Sequence, residues 1–480
     1  MMSQFHTNQN AGRVMKPNII VILIDDLGWK DLACCGSPFY ETPNLDRLAT
    51  HAVQFTQAYA ACPVCSPSRA ALLTGKSPAR LGITNYIHNG EGARGRLIDA
   101  PFVRQLNHSE TTFASLLKAE GYATWHVGKW HLGEMDYWPT THGFDVNIGG
   151  CAMGHPTYGY FSPYNIPTLT DGPDGEYLTD RLTREAVHLI QSHKKSHPNQ
   201  PFLLNLWHYA VHTPIQAPEE LIEKYRHKAK TLGLTQEDAL VEGELFPVEH
   251  KRSMRVTRRT VQSDPAYAAM VENLDTNIGI LIDALAEESV LDDTIIVFTS
   301  DNGGLSTAEG SPTCNLPLAE GKGWTCDGGT RVALMMSVPG ALQGIRSDVP
   351  VISMDLFPTL LEIAGVNQPR DLGCDGKSLL PVLNGTYSTD LDSRPLFWHY
   401  PHYGNQGGTP SAAVRKGTWK LIRLMESGEQ RLFDLQSDPG ELTDVAAAHP
   451  QIVLELGALL SNWQDEVGAI YPMVNDAPKF

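Results

Sequence analysis

Three stretches of this chain are apolar at consecutive positions rather than at alternate ones. They are Asn18-Ile19-Ile20-Val21-Ile22-Leu23-Ile24, Phe202-Leu203-Leu204-Asn205-Leu206-Trp207 and Thr294-Ile295-Ile296-Val297-Phe298-Thr299. A strand with one wet face alternates apolar and polar side chains, whereas a continuous run rich in β-branched residues fits a strand covered on both faces. Sheets of that kind are sandwiched by helices, so the expected class is α/β with a large, mainly parallel sheet. Two of the runs lead straight into carboxylates: Asp25-Asp26-Leu27-Gly28 after the first, and Ser300-Asp301-Asn302-Gly303-Gly304 after the third. Open α/β sheets place ligands beyond the C-terminal ends of their strands. A plain surface turn also uses Asp and Gly.

The stretch Cys65-Ser66-Pro67-Ser68-Arg69 continues into Ala70-Ala71-Leu72-Leu73-Thr74-Gly75. Pro67 suits the first turn of a helix, and Gly75 suits its end. Cys65 then falls at a helix N-terminus, where unpaired N–H groups and the dipole favour an anion. Arg69, one turn on, adds a cationic fork suited to a tetrahedral oxyanion. Cys62-Pro63-Val64-Cys65 also has redox spacing, and a buried, inert thiol is the common fate of a free cysteine.

Further along, Thr42-Pro43 opens a helix, and Thr112 to Glu120 reads as another, stopped by Gly121. The strand Tyr122 to Val127 follows and delivers Gly128-Lys129-Trp130-His131-Leu132-Gly133. Residues 143 to 164 lack periodicity and read as a loop. Residues 219 to 259, which include Lys224, Arg226, Lys251 and Arg258, read as a solvated helical face or as a basic insertion near an anionic substrate. Apolar residues from Ala268 to Leu285 recur at helical spacing, which predicts a core-facing helix over Asp264 to Glu288.

The Cys-x-Pro-Ser-Arg run with its Thr-Gly end resembles the first signature of the type I sulfatases, arylsulfatase-A-like enzymes of the alkaline phosphatase superfamily. Gly121-Tyr122-x-Thr124 through Gly128-Lys129-Trp130-His131-Leu132-Gly133 resembles their second. Gly321-Lys322-Gly323-Trp324 and Asp327-Gly328-Gly329-Thr330-Arg331 resemble further family patterns, with Asp327 where the family often has Glu and Ala333 where it often has Pro. The resemblance implies an alkaline-phosphatase-like sheet with a smaller C-terminal α+β subdomain. The texture changes after Gly385, so the expected division is an arm over 1–17, a catalytic domain over 18–385 and a subdomain over 386–480.

By the same resemblance, Cys65 is oxidised by a formylglycine-generating maturation enzyme to Cα-formylglycine, whose hydrated aldehyde attacks sulfur. Asp25, Asp26, Asp301 and Asn302 are hard oxygen donors suited to Ca²⁺ or Mg²⁺ rather than zinc. The family assigns them one cation, Ca²⁺ by preference. Arg69, Lys129 and Lys322 would hold the oxyanion. His212 with Lys322 would protonate the departing alcohol, and His131 would take the proton that releases sulfate. The implied activity is hydrolysis of a sulfate monoester, with a sulfated carbohydrate as the expected substrate. The alternatives are a phosphonate or phosphate monoester hydrolase of the same superfamily and a non-catalytic binder of sulfated sugars. Family members often place a serine against sulfate where this chain has Gly149 to His155, so His155 is a candidate substitute. The ring-rich stretches His155 to Tyr160 and His399 to Tyr403 are expected to wall a sugar pocket through His155, Tyr158 and His402.

A formal net charge of −17 argues against nucleic-acid and anionic-membrane partners, so an anionic substrate must be drawn by a local cationic cluster. No apolar run approaches the ~20 residues of a membrane span. Met1 to Lys16 are polar without an apolar core, from which a cytoplasmic location is expected. Eight cysteines in 480 residues do not make a disulfide scaffold.

Overall fold

The computed structural model describes residues 16–234, 239–369 and 371–477. Nine strands form its main sheet: β1 (Asn18–Ile24), β2 (Val53–Tyr59), β3 (Ala123–Gly128), β4 (Val146–Ile148), β5 (Phe202–Trp207), β6 (Thr294–Ser300), β7 (Arg331–Ser337), β8 (Ile345–Ser347) and β9 (Val351–Ile352). Their order is β8-β2-β7-β6-β1-β5-β3-β4, with β9 also paired to β2. From β4 to β6 the strands run parallel, while β7 is antiparallel to both β6 and β2. The sheet is the large, mixed and mainly parallel one the apolar runs predict.

Each continuous run supplies two cores. Ile20, Ile22 and Ile24 pack on one side with Leu274, Ile278 and Leu281 of the helix Pro265–Glu287. Ile19, Val21 and Leu23 pack on the other with Leu72 and Leu73 of α1 (Cys65–Thr74) and with Phe357. Every one of these side chains is essentially inaccessible to water, and each such burial stabilises by roughly 1.5–3 kcal/mol. The helix Pro265–Glu287 starts where the Asp264 side chain accepts from the N–H groups of Ala266 and Tyr267 at 2.9 and 3.1 Å. Among the described residues no helix is long and apolar enough to cross a membrane.

Four segments depart from expectation. Strands β2 and β7 are not announced by the sequence: Gln54, Thr56 and Gln57 interrupt the first, and Arg331 opens the second. The 143–164 segment holds β4, which is short because it ends the sheet. The basic stretch is partly a solvated helix, Glu219–Thr231, whose Arg226 pairs with Glu219 at 2.6 Å and also with Glu223. After it comes a hairpin of Leu240–Leu245 and Arg255–Arg259 that the charge pattern conceals.

Beyond the main sheet, β10 (Leu396–Tyr400), β11 (Ser411–Lys416), β12 (Trp419–Leu424) and β13 (Gln430–Asp434) form an antiparallel meander, covered by the helix Pro450–Glu466. Its seam with the main sheet is ionic and buried. Lys420 lies 2.7 Å from Asp327 and 2.8 Å from Glu441, and Asp327 also accepts from the Tyr59 hydroxyl at 2.8 Å. Burial pushes the Glu441 carboxyl up from 4.5 to about 7, with Lys420 opposing and Asp327 adding to the rise. Between those two pH values the folded chain holds a proton that the unfolded chain has released. This group therefore lowers stability as pH climbs through the window and is constant above it. Glu441→Gln is expected to flatten the fall in Tm between pH 5 and 7, read by thermal scans across pH. An unchanged slope would mean that Glu441 is ionised throughout.

Candidate active site

The register sets the site. Ile24 lies opposite Ser300, so Asp25 and Asp301 leave adjacent strand ends side by side. Gly128 pairs with Trp207, which brings Lys129 to the same edge. Gly128 has φ +105°, and a Cβ there would fall 2.0 Å from the Trp207 carbonyl oxygen, so only glycine permits this exit from β3. Cys65 is the first residue of α1, which ends on Gly75 in the left-handed region at φ +69°. Asp26 and His131 also occupy that region, at φ 63° and 59°, a sparsely populated conformation for such residues and one that clusters at functional sites.

A cavity of about 470 Å³ opens over this edge, and Cys65, His131, His155, His212 and Lys322 line it. The Cys65 Sγ lies 3.3 Å from His131 Nδ1, and His131 Nε2 lies 2.8 Å from the Ile87 carbonyl oxygen. The carbonyl can only accept, so Nε2 carries the proton and Nδ1 turns its lone pair toward position 65. Burial, and then Lys129, lower the His131 pKa well below the usual value, which leaves the ring neutral. His212 is neutral for the same reasons, burial first and Lys322 second. Its Nδ1 donates to the Thr213 carbonyl at 2.9 Å, and its Nε2 accepts from Lys322 Nζ at 2.9 Å. Burial works against the charge on Lys322, but the Asp26 carboxylate at 2.7 Å raises its pKa above the ordinary lysine value.

Behind the cavity floor lies a cluster of buried charges. Lys129 Nζ is 2.6 Å from Asp25, and Arg69 donates from Nε to Asp301 at 2.8 Å and from Nη1 to the Lys129 carbonyl at 3.0 Å. Asn302 Nδ2 donates to Asp26 at 2.9 Å. Two oxygen atoms here, Asp25 Oδ1 and Asn302 Oδ1, are buried without a hydrogen-bond donor among the described residues. Burial pushes the Asp25 carboxyl up, Lys129 pulls it back, and Asp301 and Asp26 add repulsion. Asp26, though equally buried, is held below the usual carboxylate range by Lys322 first, with Lys129 and the Asn302 hydrogen bond adding to the fall. Asp25, Asp26 and His212 each offer a ligand atom within 4.8 Å of one another. Unsatisfied hard oxygens among crowded carboxylates fit a divalent cation bound through oxygen.

The expected site residues thus separate into two layers. Cys65, His131, His155, His212 and Lys322 face the cavity. Arg69, Lys129, Asp25, Asp26, Asp301 and Asn302 form the charged layer behind it, where Arg69 and Lys129 bind carboxylates. His155 stacks on His212, with ring centroids 5.8 Å apart and planes at 11°. Two expected sugar contacts need correction. His402 is fully buried and bonds Thr84 Oγ1 at 2.8 Å, because the fold of the meander turns it into the protein. Tyr158 is 63% exposed and stands outside the cavity lining.

Residues the sequence reasoning missed share the cavity wall: Tyr86, His88, Glu309, Asn405 and Gln406. Asn405 and Gln406 donate to the two oxygens of Glu309 at 2.6 and 3.2 Å. These residues come from three separate chain segments with no shared spacing, so no linear signal could have grouped them.

A family model described as Sulfatase matches residues 17–366. The chain belongs to the sulfatase family. It is a sulfuric ester hydrolase, with the alkaline-phosphatase-like fold of that family. A second model, N-sulphoglucosamine sulphohydrolase, C-terminal, matches residues 321–465 and spans the meander of this sulfatase. A sulfatase of Formosa agariphila is 30% identical over 96% of this chain and 90% of its own length. The N-acetylgalactosamine-6-sulfatase of Homo sapiens is 33% identical over 81% of this sulfatase and 69% of its own length. The solved structure of Ps i-CgsB in complex with k-i-k-neocarrahexaose is 28% identical, covers 94% of this chain and 93% of that one, and has a TM-score of 0.74.

Proposed function

We propose that this sulfatase removes sulfate from a sulfated saccharide, with residue 65 as the attacking group and His131 and the Lys322–His212 pair as its proton carriers. The observation that carries the reading is the convergence of Cys65, His131, His212 and Lys322 on one cavity floor. The names of the human relative and of the neocarrahexaose complex support a sugar as the alcohol part. A formylglycine at position 65, made from the cysteine by a maturation enzyme that reads the Cys65 to Arg69 run, supplies in hydrated form the hydroxyl that attacks sulfur. Ca²⁺, or Mg²⁺ in its place, held by Asp25, Asp26, Asp301 and Asn302, supplies positive charge that polarises the sulfate oxygens.

The chain's own groups do the rest. His131 Nδ1, unprotonated and 3.3 Å from Sγ, is placed to take a proton from a hydroxyl at position 65. Lys322 on the floor offers its ammonium where sulfate oxygens gather charge, while Arg69 and Lys129 behind it offset Asp301 and Asp25, so that the carboxylates do not repel the anion. Lys322 carries the proton that the departing sugar oxygen needs, and His212 Nε2, 2.9 Å away, relays it. His155, stacked on His212, faces the alcohol part of the ester.

The test compares sulfate release from sulfated monosaccharides and p-nitrophenyl sulfate with hydrolysis of phenyl phosphonate. The sugar sulfates are expected to turn over and the phosphonate to lag well behind. His155→Ala should lower kcat/KM on a sugar sulfate by roughly 10–100-fold, ~1.4–2.7 kcal/mol, and on p-nitrophenyl sulfate much less. Inert sugar sulfates beside an active aryl sulfate would remove the saccharide reading. Equal losses on both substrates would move His155 into the chemistry.

A further inference from the structure

Glu309 is a carboxylate on the wall of a cavity that has to admit an anion. Its two oxygens accept from the neutral amides of Asn405 and Gln406, and among the described residues it forms no ion pair. An ionised carboxylate has about four acceptor positions, so about two remain open. Glu134, the other carboxylate on that wall, is exposed and has no side-chain hydrogen bond among the described residues. Glu309 is thus the one whose position is fixed.

What fixes it reaches well beyond the cavity. Asn405 Oδ1 accepts from Lys251 Nζ at 2.7 Å, and the Asn405 main-chain oxygen accepts from the same ammonium at 2.9 Å. Lys251 in turn stands over the Phe246 ring, 5.0 Å from its centre, and both residues come from the segment joining the hairpin strands Leu240–Leu245 and Arg255–Arg259. Gln406 is buried, and its main-chain oxygen accepts from Trp324 Nε1 at 3.2 Å, two residues beyond Lys322. From the other side, the Ala308 N–H and the Ser311 hydroxyl donate to the Thr257 carbonyl of the hairpin at 3.0 and 3.1 Å. Ala308, Glu309 and Ser311 lie in the left-handed region at φ 56°, 49° and 44°, a backbone that persists only where its surroundings over-determine it. The hairpin that the charge pattern conceals is therefore the brace behind Glu309. Burial lowers the His155 pKa, and Lys129, His131 and Lys322 lower it further, while Glu309 opposes them, so its charge is felt at the ring that faces the alcohol part.

We infer that Glu309 is a specificity-determining residue that accepts from a free hydroxyl of the sugar unit bearing the sulfate, with Lys251 as a positioning residue acting through Asn405. The inference rests on the saccharide reading above and deepens it. A hydroxyl donates to the open carboxylate positions, whereas a deoxy carbon offers no donor and a second sulfate at that carbon brings a like charge. The site therefore favours a sugar unit that carries one sulfate and keeps a hydroxyl within reach of Glu309. A hydrogen bond to a charged acceptor is stronger than one between neutral groups, and an acceptor held in place before binding costs less ordering.

The experiment first measures kcat/KM on the monosulfates of galactose, glucose and their N-acetylated 2-amines, then on the monodeoxy and doubly sulfated analogues of the fastest. In the parent, one monodeoxy analogue is expected to fall by roughly 10–100-fold, the scale of a hydrogen bond to a charged acceptor, and the analogue with a sulfate at the same carbon by at least as much. In Glu309→Gln the full substrate should fall by a similar factor, while the gap between it and the deoxy analogue narrows to about 3-fold or less. Lys251→Met should narrow the gap part-way and Lys251→Arg should keep it, a pattern that a general loss of stability does not produce. Glu134→Gln should also keep it. A parent indifferent to every hydroxyl would overturn the inference, as would a gap that survives Glu309→Gln or one that Glu134→Gln closes. So would an equal loss on p-nitrophenyl sulfate in Glu309→Gln, which would place the carboxylate in the chemistry. An undiminished gap in Lys251→Met would remove the role given to Lys251. If every sugar sulfate is inert while the aryl sulfate turns over, the saccharide reading itself has failed, a result distinct from these.

Discussion

Cys65→Ala protein is expected to release sulfate at least about 10⁴-fold more slowly than the parent, the scale on which loss of a nucleophile acts. Its Tm should stay within about 4 °C of the parent value. The side chain is small, 3% exposed, and among the described residues its one polar contact is His131 at 3.3 Å, so little packing depends on it. Cys62 is the matched control. It is equally buried, burial pushes its thiol pKa far up, and it does not line the cavity, so Cys62→Ala should keep its activity. A redox pair at the Cys62-Cys65 spacing would make both substitutions costly. Peptide mass across residue 65 supplies the second reading. Appreciable turnover by protein whose Cys65 still has the thiol mass would end the formylglycine mechanism.

Lys129→Met should cost both activity and stability, by about 10³-fold in kcat/KM and about 3–5 kcal/mol in folding free energy. Behind the floor, Asp25, Asp26 and Asp301 face Arg69, Lys129 and Lys322, all buried, so the charges balance. Removing Lys129 strips Asp25 of its partner at 2.6 Å and leaves a carboxylate unpaired away from water. If these oxygens hold a divalent cation, added Ca²⁺ should raise Tm in the parent, and by more in Lys129→Met, where the carboxylates are less compensated. Binding at 100 times Kd stabilises by about 2.7 kcal/mol. Chelation should lower Tm and stop turnover. Indifference of both Tm and activity to Ca²⁺ and chelator would remove the cation from this cluster.

Much of the architecture was legible because burial on two faces leaves a one-dimensional mark. The consecutive apolar residues of β1, β5 and β6 have no other economical explanation, and each strand falls within a residue or two of where the pattern puts it. The same holds for α1, bounded by its own chemistry of Pro67 early and Gly75 at the end. Strand β2 left no such mark, since its glutamines and threonine lie half-buried near the sheet edge and break the run. His402 was misplaced for a related reason. A ring-rich stretch after a strand reads as surface, and only the packing of Phe102, Thr84 and Tyr400 around the imidazole turns it inward.

The sequence by itself determined which chemistry this protein carries, because a nucleophile run at a helix start and carboxylates at strand ends are local features with local physical reasons. Tertiary structure alone decided how that chemistry is arranged. The tautomer of His131 depends on a carbonyl from Ile87, whose side chain takes no part in the bond, and a backbone oxygen leaves no trace in residue identity. The pairing of Asp25 with Lys129, 104 residues on, follows from strand register, and that of Asp26 with Lys322, 296 residues on, from the loop between β6 and β7, where the Lys322 N–H donates to the Gly304 carbonyl. Which groups meet on the cavity wall depends on how the loops bearing Tyr86 and His88, Glu309, and Asn405 and Gln406 come together over the sheet. Contacts across such separations are set by the closure of the whole core, so no window of sequence contains them.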